Sequence, residues 1–155
     1  MDAPPQLFTA RETSFLEALV REDVRFLVVG LAAAALQGTP AVTQDVDLWF
    51  ADLADPRLHT VLRSHGAAYI APTPTTPPLF AGAGTELFDI VVHMHGLGAF
   101  AVEWQRAVLV RIGEVDVRVL PLDRIIASKR ATGRPKDMAI LPALEDALRV
   151  TRRQD

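Results

Sequence analysis

The chain has no cysteine, no long apolar run and no excess of basic residues, and each absence excludes a class of protein. Without cysteine it forms no disulfide, thiolate nucleophile or cysteine-ligated zinc site. Its longest apolar run, residues 26–36, is shorter than the roughly 20 residues that a membrane-spanning helix needs. The net charge of −3 argues against a general nucleic-acid-coating surface, although a local basic patch remains compatible with it. The first residues lack a signal-peptide pattern, so we expect a soluble, cytoplasmic protein with no membrane partner.

The composition is that of a folded domain. Half of the 155 residues are hydrophobic and 23% are charged, so we expect one domain, residues 1–155, with a sizeable core. The apolar spacing predicts helices at 9–22, 32–36, 56–64, 121–131 and 136–150. It predicts strands at 25–29, 45–50, 67–70, 86–94, 107–112 and 115–120, and the prolines at 72–78 predict an extended surface loop. This mixture predicts an α/β or α+β fold, a mixed β-sheet flanked by helices.

Gly30 follows the first predicted strand and begins an alanine-rich helix. A glycine turn at this point aims free backbone N–H groups and the positive end of the helix dipole at one spot, an arrangement that binds phosphate. The glycine also lets a bulky ligand approach the backbone. The alternative interpretation is that Gly30 only allows the helix to pack closely on the strand.

Asp45 and Asp47 lie on the next predicted strand, where Val46, Leu48 and Phe50 would face the core. Residues two apart on a strand share one face, and these two are separated by roughly 6.6 Å, so both carboxylates can converge on one cation. Magnesium fits this pair, because proteins often hold it with one or two carboxylates plus substrate phosphates. Solvated carboxylates on an edge strand are the alternative.

Asp89 lies within the apolar strand predicted at 86–94. Buried and unpaired, a carboxylate there would be costly, which a shared metal or a salt bridge to an arginine would resolve. Asp89 could also act as the base that takes a proton from an attacking hydroxyl. Glu86 is the alternative third carboxylate.

His93 and His95 form an H-x-H pattern on the same face of the predicted strand as Asp89. This pattern suggests a zinc site and a metal hydrolase. Geometry weakens this alternative, because Asp89 and His93 would be roughly 13 Å apart on an extended strand. Further along, Lys129 begins a basic turn, residues 129–137, that could reach triphosphate oxygens or could be a solvated surface. Asp137 suits the first turn of the last helix.

Together these residues resemble the nucleotidyltransferase-fold superfamily, in particular small bacterial proteins related to minimal nucleotidyltransferases and AbiEii-type toxins. The family pattern is a strand, a Gly-Gly or Gly-Ser turn, a helix, a D-x-D strand and a later third carboxylate. Gly30, Asp45, Asp47 and Asp89 match it. The end of the chain, residues 122–137, is also similar, so the resemblance spans about residues 26–148.

The resemblance implies a nucleotidyltransferase that moves a nucleoside monophosphate from an NTP to RNA, a protein hydroxyl or a small molecule. It implies that Mg²⁺, or alternatively Mn²⁺, is bound by the catalytic residues Asp45, Asp47 and Asp89. The nucleotide-binding residues implied are Gly30, Leu31, Thr43 and Lys129.

Three positions depart from the family pattern. Leu31 replaces the second glycine or serine of the turn, which removes a phosphate-binding hydroxyl. Gln37 and Ala41 stand where related sequences often have histidine and arginine. These departures favour an alternative function: a catalytically degenerate nucleotide- or partner-binding module, including one half of a toxin–antitoxin pair with an antitoxin partner.

Overall fold

A computed structural model of the chain describes residues 7–41 and 45–154. The helices in these ranges are α1 (Ala10–Arg21), α2 (Gly30–Leu36), α3 (Pro56–Ser64), α4 (Phe100–Arg106), α5 (Leu122–Thr132) and α6 (Pro135–Gln154). The strands are β1 (Phe26–Val29), β2 (Val46–Phe50), β3 (Ala68–Ile70), β4 (Leu79–Ala81), β5 (Phe88–Val91), β6 (Val108–Ile112) and β7 (Val115–Val119). None of the helices in the described ranges is long and apolar enough to cross a bilayer.

Five strands form a mixed sheet in the order β5-β2-β1-β7-β6. β1 runs antiparallel to β2 and parallel to β7, β2 runs parallel to β5, and β6 and β7 form an antiparallel hairpin. β3 and β4 form a separate antiparallel pair, and the predicted proline loop joins them. The sheet and its flanking helices confirm the predicted α/β fold.

α1 shows how local sequence and burial agree. The Thr9 hydroxyl accepts the N–H of Glu12 at 3.2 Å, and the Glu12 carboxylate accepts the N–H of Thr9 at 2.7 Å. This reciprocal cap satisfies two backbone donors at the helix start. Phe15, Leu16 and Leu19 are fully buried along one face, which fits the helical spacing of the apolar residues.

The two faces of β2 are covered differently. Because side chains alternate along a strand, Phe50 and Trp49 point to opposite faces. The Phe50 ring meets Phe80 of β4, with centroids 5.6 Å apart, whereas the Trp49 ring meets Phe100 of α4 at 5.3 Å. Asp47 therefore shares the α4 side of the sheet with Trp49.

Three features differ from the sequence-based expectation. β5 ends at Val91 rather than at residue 94, so the expectation that His93 and His95 share a strand with Asp89 is wrong. β4 and α4 were not predicted. β4 has only three residues, and they pair with β3 across the proline loop. The buried residue of α4 is the charged Glu103, so the helix lacks the apolar spacing that predicts a helix.

Candidate functional site

The turn between β1 and α2 lies directly against a carboxylate. Gly30 has a φ of +68°, a backbone conformation that glycine adopts without strain. A Cβ atom at this position would lie 2.8 Å from Oδ2 of Asp47. The absence of a side chain therefore permits both the turn and the close approach of Asp47. No side chain within the described ranges caps the start of α2.

Asp47 and Asp89 come from neighbouring strands and are direct partners in the parallel register of β2 and β5. Adjacent strands lie about 4.8 Å apart, so the two carboxylates repel each other when both are ionised. Burial, followed by the charge of Asp89, raises the pKa of Asp47. Partial desolvation, followed by the charge of Asp45, raises the pKa of Asp89. The three predicted carboxylates are thus electrostatically coupled.

The positions of these carboxylates differ in exposure. Asp45 is exposed and precedes β2 by one residue, whereas Asp47 is half-buried on the strand. Asp89 is exposed, so it avoids the cost that a fully buried, unpaired carboxylate would have. The physical reason is that β5 is an edge strand of the sheet. Within residues 7–41 and 45–154, no lysine or arginine forms a salt bridge with Asp89.

The predicted basic turn is built around a buried carboxylate. Nζ of Lys129 lies 3.3 Å from Oδ1 of Asp137, and Nε of Arg134 donates to Oδ2 of Asp137 at 2.7 Å. Asp137 is only 1% exposed and lies in the first turn of α6, as predicted. These hydrogen bonds, with that of Arg134 the largest cause, lower the pKa of Asp137 to about 2. Lys129 therefore holds α5 to α6 while it lines the site.

Replacing Asp137 by asparagine is expected to lower the free energy of unfolding by about 2 kcal/mol at neutral pH, because two cations lose their charged partner. Since folding lowers this pKa from 3.8 to about 2, the stabilisation is complete above about pH 4 and is lost as the pH falls through about 2. Urea unfolding across this range measures the difference. Asp146→Asn, which removes an exposed ion pair with Arg149 on the same helix, is the control. A difference that persists undiminished at about pH 2 would contradict the assignment.

A cleft of about 270 Å³ opens beside the carboxylates. Gly30 and Asp47 form its floor, and Ser128 and Lys129 of α5 form one wall. Residues 93–95, in the loop that follows β5, form the opposite wall. The structure thus brings Gly30, Asp47 and the predicted nucleotide-binding Lys129 to one cavity.

Other predicted residues lie elsewhere or have other partners. Leu31 is half-buried in the first turn of α2, and Thr43 lies outside the described residues, so its nucleotide contact stays a prediction. The Gln37 amide donates to the carbonyl oxygens of Ala33 and Leu120, at 3.0 and 2.8 Å. Gln37 therefore ties the end of α2 to the residue after β7, a structural role that sequence reasoning missed.

A larger open groove of about 1100 Å³ lies at the other end of β1 and β2. There the Arg118 guanidinium lies 4.2 Å from the centre of the Trp104 ring and donates to the Trp104 carbonyl oxygen at 3.1 Å. The groove is lined by arginines and also by acidic residues such as Asp52 and Asp116, so neither positive nor negative charge predominates in it. Size alone does not make this groove the site, because it lacks the glycine turn and the paired carboxylates.

The candidate metal ligands form no closed cage. In the part of the chain that the structure describes, no three or more histidine, aspartate and glutamate side chains are grouped so that they could hold a metal ion by themselves. The rings of His93 and His95 lie 4.8 Å apart, beyond the end of β5. Glu86, the alternative third carboxylate, is exposed and accepts the N–H of Gly84 at 2.8 Å.

No family model and no curated protein sequence matches the chain. Solved structures do match. ANT(2")-Ia in complex with adenylyl-2"-tobramycin is 16% identical, with a TM-score of 0.59 over 90% of each chain. A solution structure of the antibiotic-resistance factor ANT(2'')-Ia is 14% identical, with a TM-score of 0.55 over 93% of this chain and 90% of the other.

An antigenic nucleotidyltransferase-like protein from Paracoccidioides brasiliensis is also similar. It is 15% identical, with a TM-score of 0.51 over 88% of this chain and 77% of the other. The chain therefore has the fold of these nucleotidyltransferase structures, as its sequence resemblance predicts.

Proposed function

We propose that the chain is a metal-dependent nucleotidyltransferase that transfers a nucleoside monophosphate from an NTP to an acceptor hydroxyl. The observation that carries the proposal is the pairing of Asp47 with Asp89 beside the Gly30 turn, within a nucleotidyltransferase fold. Two coupled carboxylates next to a backbone turn without a side chain form a site for a cation together with phosphate.

The carboxylates fit Mg²⁺ or Mn²⁺ by their chemistry. They are hard oxygen donors, and burial, followed by the charge of Asp89, raises the pKa of Asp47, so a cation between the two carboxylates would be favourable. Asp45, Asp47 and Asp89 would hold the metal, and substrate phosphates would complete its coordination. When bound, the ion would neutralise phosphate charge and stabilise the attacking and leaving oxygens.

The protein residues would position the substrates and move one proton. Gly30 and Leu31, at the start of α2, would contact the triphosphate, as would Thr43, and Lys129 adds positive charge at the cleft wall. Asp89, exposed at the sheet edge and with a raised pKa, would accept the acceptor hydroxyl's proton. The acceptor oxygen then bonds to the α-phosphorus as the bond to pyrophosphate breaks.

The solved complex of ANT(2")-Ia contains adenylyl-2"-tobramycin, an adenylylated antibiotic. A tobramycin hydroxyl is therefore the first acceptor to assay with this chain, and RNA and protein hydroxyls follow.

Calorimetric titration with the non-hydrolysable ATP analogue AMPCPP tests the nucleotide site. We expect the wild type to bind AMPCPP with Mg²⁺ and bind it at least about tenfold more weakly without the ion. The Asp45→Asn/Asp47→Asn variant should lose this metal dependence. Asp116→Asn, an exposed carboxylate on β7 that pairs with Arg111, is the matched control and should bind as the wild type does.

Absence of binding by the wild type, with analogues of all four bases, would contradict the proposal. It would favour the second candidate, a degenerate module that binds a partner protein. That candidate is motivated by the half-buried Leu31 at the turn and by Gln37, whose amide is engaged by backbone carbonyl oxygens. A toxin–antitoxin role stays a prediction of the sequence resemblance.

A further inference from the structure

We infer that the loop formed by residues 93–95 binds the nucleobase of the nucleotide. This assignment rests on the proposed function and deepens it. The carboxylate pair and the glycine turn account for the phosphate end of a nucleotide, but they leave the wall opposite α5 without a role. That wall carries two imidazole rings and a thioether within the same cleft as Asp47.

The loop is held in place against α5. Gly96 has a φ of +74°, and a Cβ atom there would lie 2.5 Å from Cβ of Ala131 and 3.2 Å from the carbonyl oxygen of Ala127. The backbone of the loop therefore touches the helix that forms the other wall. Because β5 ends at Val91, the chain leaves the sheet two residues after Asp89 and carries the loop directly past the carboxylates.

The two imidazole rings offer flat faces at the mouth of the cleft. The ring centres of His93 and His95 are 4.8 Å apart with an angle of 88° between the planes, and both side chains are exposed. Stacking on aromatic and histidine rings is a common way for proteins to bind a base without reading its sequence. In this edge-to-face arrangement one ring covers one face of the other, and the remaining exposed faces can receive a planar ligand.

The cleft lining suits a base better than a phosphate. Val91 and Met94, both half-buried, contribute apolar surface, and the almost fully buried Val29 and Ile125 lie behind it. The two cationic side chains of the lining, Lys129 and Arg134, are both already paired with Asp137. A phosphate would lose hydration against the apolar groups, whereas a base gains dispersion and stacking contacts there.

The volume of the cleft also indicates that it holds the base and that the phosphates lie outside it. About 270 Å³ is near the lower limit of small-ligand cavities, which is room for a base but too little for a whole nucleoside triphosphate. Since Asp47 lies at the floor, the phosphates would extend along the Gly30 turn. On the α5 wall, the hydroxyls of Ser128 and Thr132 would face the base edge.

Comparing two probes separates the base site from the phosphate site. Inorganic tripolyphosphate with Mg²⁺ contacts only the phosphate site, whereas AMPCPP with Mg²⁺ also carries a base. We expect the wild type to bind AMPCPP roughly tenfold more tightly than tripolyphosphate. His93→Ala/His95→Ala should abolish this difference and leave tripolyphosphate binding unchanged. Val92→Ala, which removes an exposed side chain from the same segment, should behave as the wild type does.

An aromatic replacement distinguishes stacking from other roles of histidine. His93→Phe/His95→Phe should keep the preference for AMPCPP, because phenyl rings stack but neither ligate metal nor transfer protons. Equal binding of the two probes by the wild type, or an unchanged preference in the alanine variant, would overturn the inference about the base. Neither result would contradict the proposed function. Tripolyphosphate binding that is lost in the alanine variant would also overturn the inference about the base. If the wild type binds neither probe, the proposed function fails as well.

Discussion

Replacing Asp47 by asparagine is expected to reduce nucleotidyl transfer by roughly 100- to 1,000-fold, with an acceptor that supports wild-type turnover. Asp47 lies at the centre of the site, since it is the register partner of Asp89 and the carboxylate that Gly30 approaches. Asparagine keeps the shape of the side chain but removes the charge that would attract a cation. The loss should appear in kcat, measured as pyrophosphate release, because the charge acts on the transferring phosphate.

The same substitution should leave the metal-free protein at least as stable as the wild type. Folding raises the pKa of Asp47 above 3.8, so the ionised carboxylate opposes folding at neutral pH, and this cost disappears as the pH falls below about 4. Asparagine removes this cost of burying a charge. The melting temperature of the Asp47→Asn variant should therefore equal or exceed that of the wild type at pH 7, and the two should converge in acid. Unchanged turnover, or a variant that unfolds at room temperature, would contradict the role of Asp47. Asp116→Asn is again the control.

Much of the sheet could be predicted from local sequence, because its central strands are buried and strongly apolar. β1 is buried at every position, and β2 places Val46, Leu48 and Phe50 in the core as expected. The elements that local sequence did not predict are those that form through contacts with residues distant in the sequence. β4 is defined by pairing with β3, and α4 is a seven-residue helix whose most buried side chain is a glutamate.

The geometry of the candidate site was predictable where the pattern is local and could not be predicted where topology decides. Gly30 and Asp47 lie together because a glycine turn and a carboxylate strand follow each other directly in the chain. The exposure of Asp89 depends on β5 being an edge strand, which spacing cannot reveal. The pairing of Lys129 with Asp137 could not be predicted, because it needs the turn that brings α6 back against α5.

Replacing Arg124 by alanine is expected to lower the free energy of unfolding by about 3 kcal/mol or more, the largest loss of stability predicted for this chain. Arg124 on α5 donates to both carboxylate oxygens of Glu103 on α4, at 2.9 and 2.7 Å. Glu103 is fully buried, so removal of its partner would leave an uncompensated charge in the protein interior. Chemical unfolding at neutral pH measures the loss.

The pH dependence identifies the cause of this loss. The hydrogen bonds from Arg124 lower the pKa of Glu103 below 4.5, so the pair stabilises the fold above about pH 4.5 and loses this contribution as the pH falls. The deficit of Arg124→Ala should therefore shrink in acid, when Glu103 becomes neutral. Glu103→Leu/Arg124→Met, which replaces both charges with apolar groups, should recover most of the stability. A double variant no more stable than Arg124→Ala would contradict a charge-based explanation.

The Glu103–Arg124 ion pair also contacts the loop that lines the cleft. Oε1 of Glu103 accepts the N–H of Gly98 at 3.2 Å, at the end of the loop that carries the two histidines. Arg124→Ala should therefore weaken AMPCPP binding more than tripolyphosphate binding, even under conditions where the variant stays folded. The double apolar variant should recover stability without restoring this contact, so its preference for AMPCPP should remain reduced. Equal loss for both probes would show that the pair supports the fold without positioning the loop.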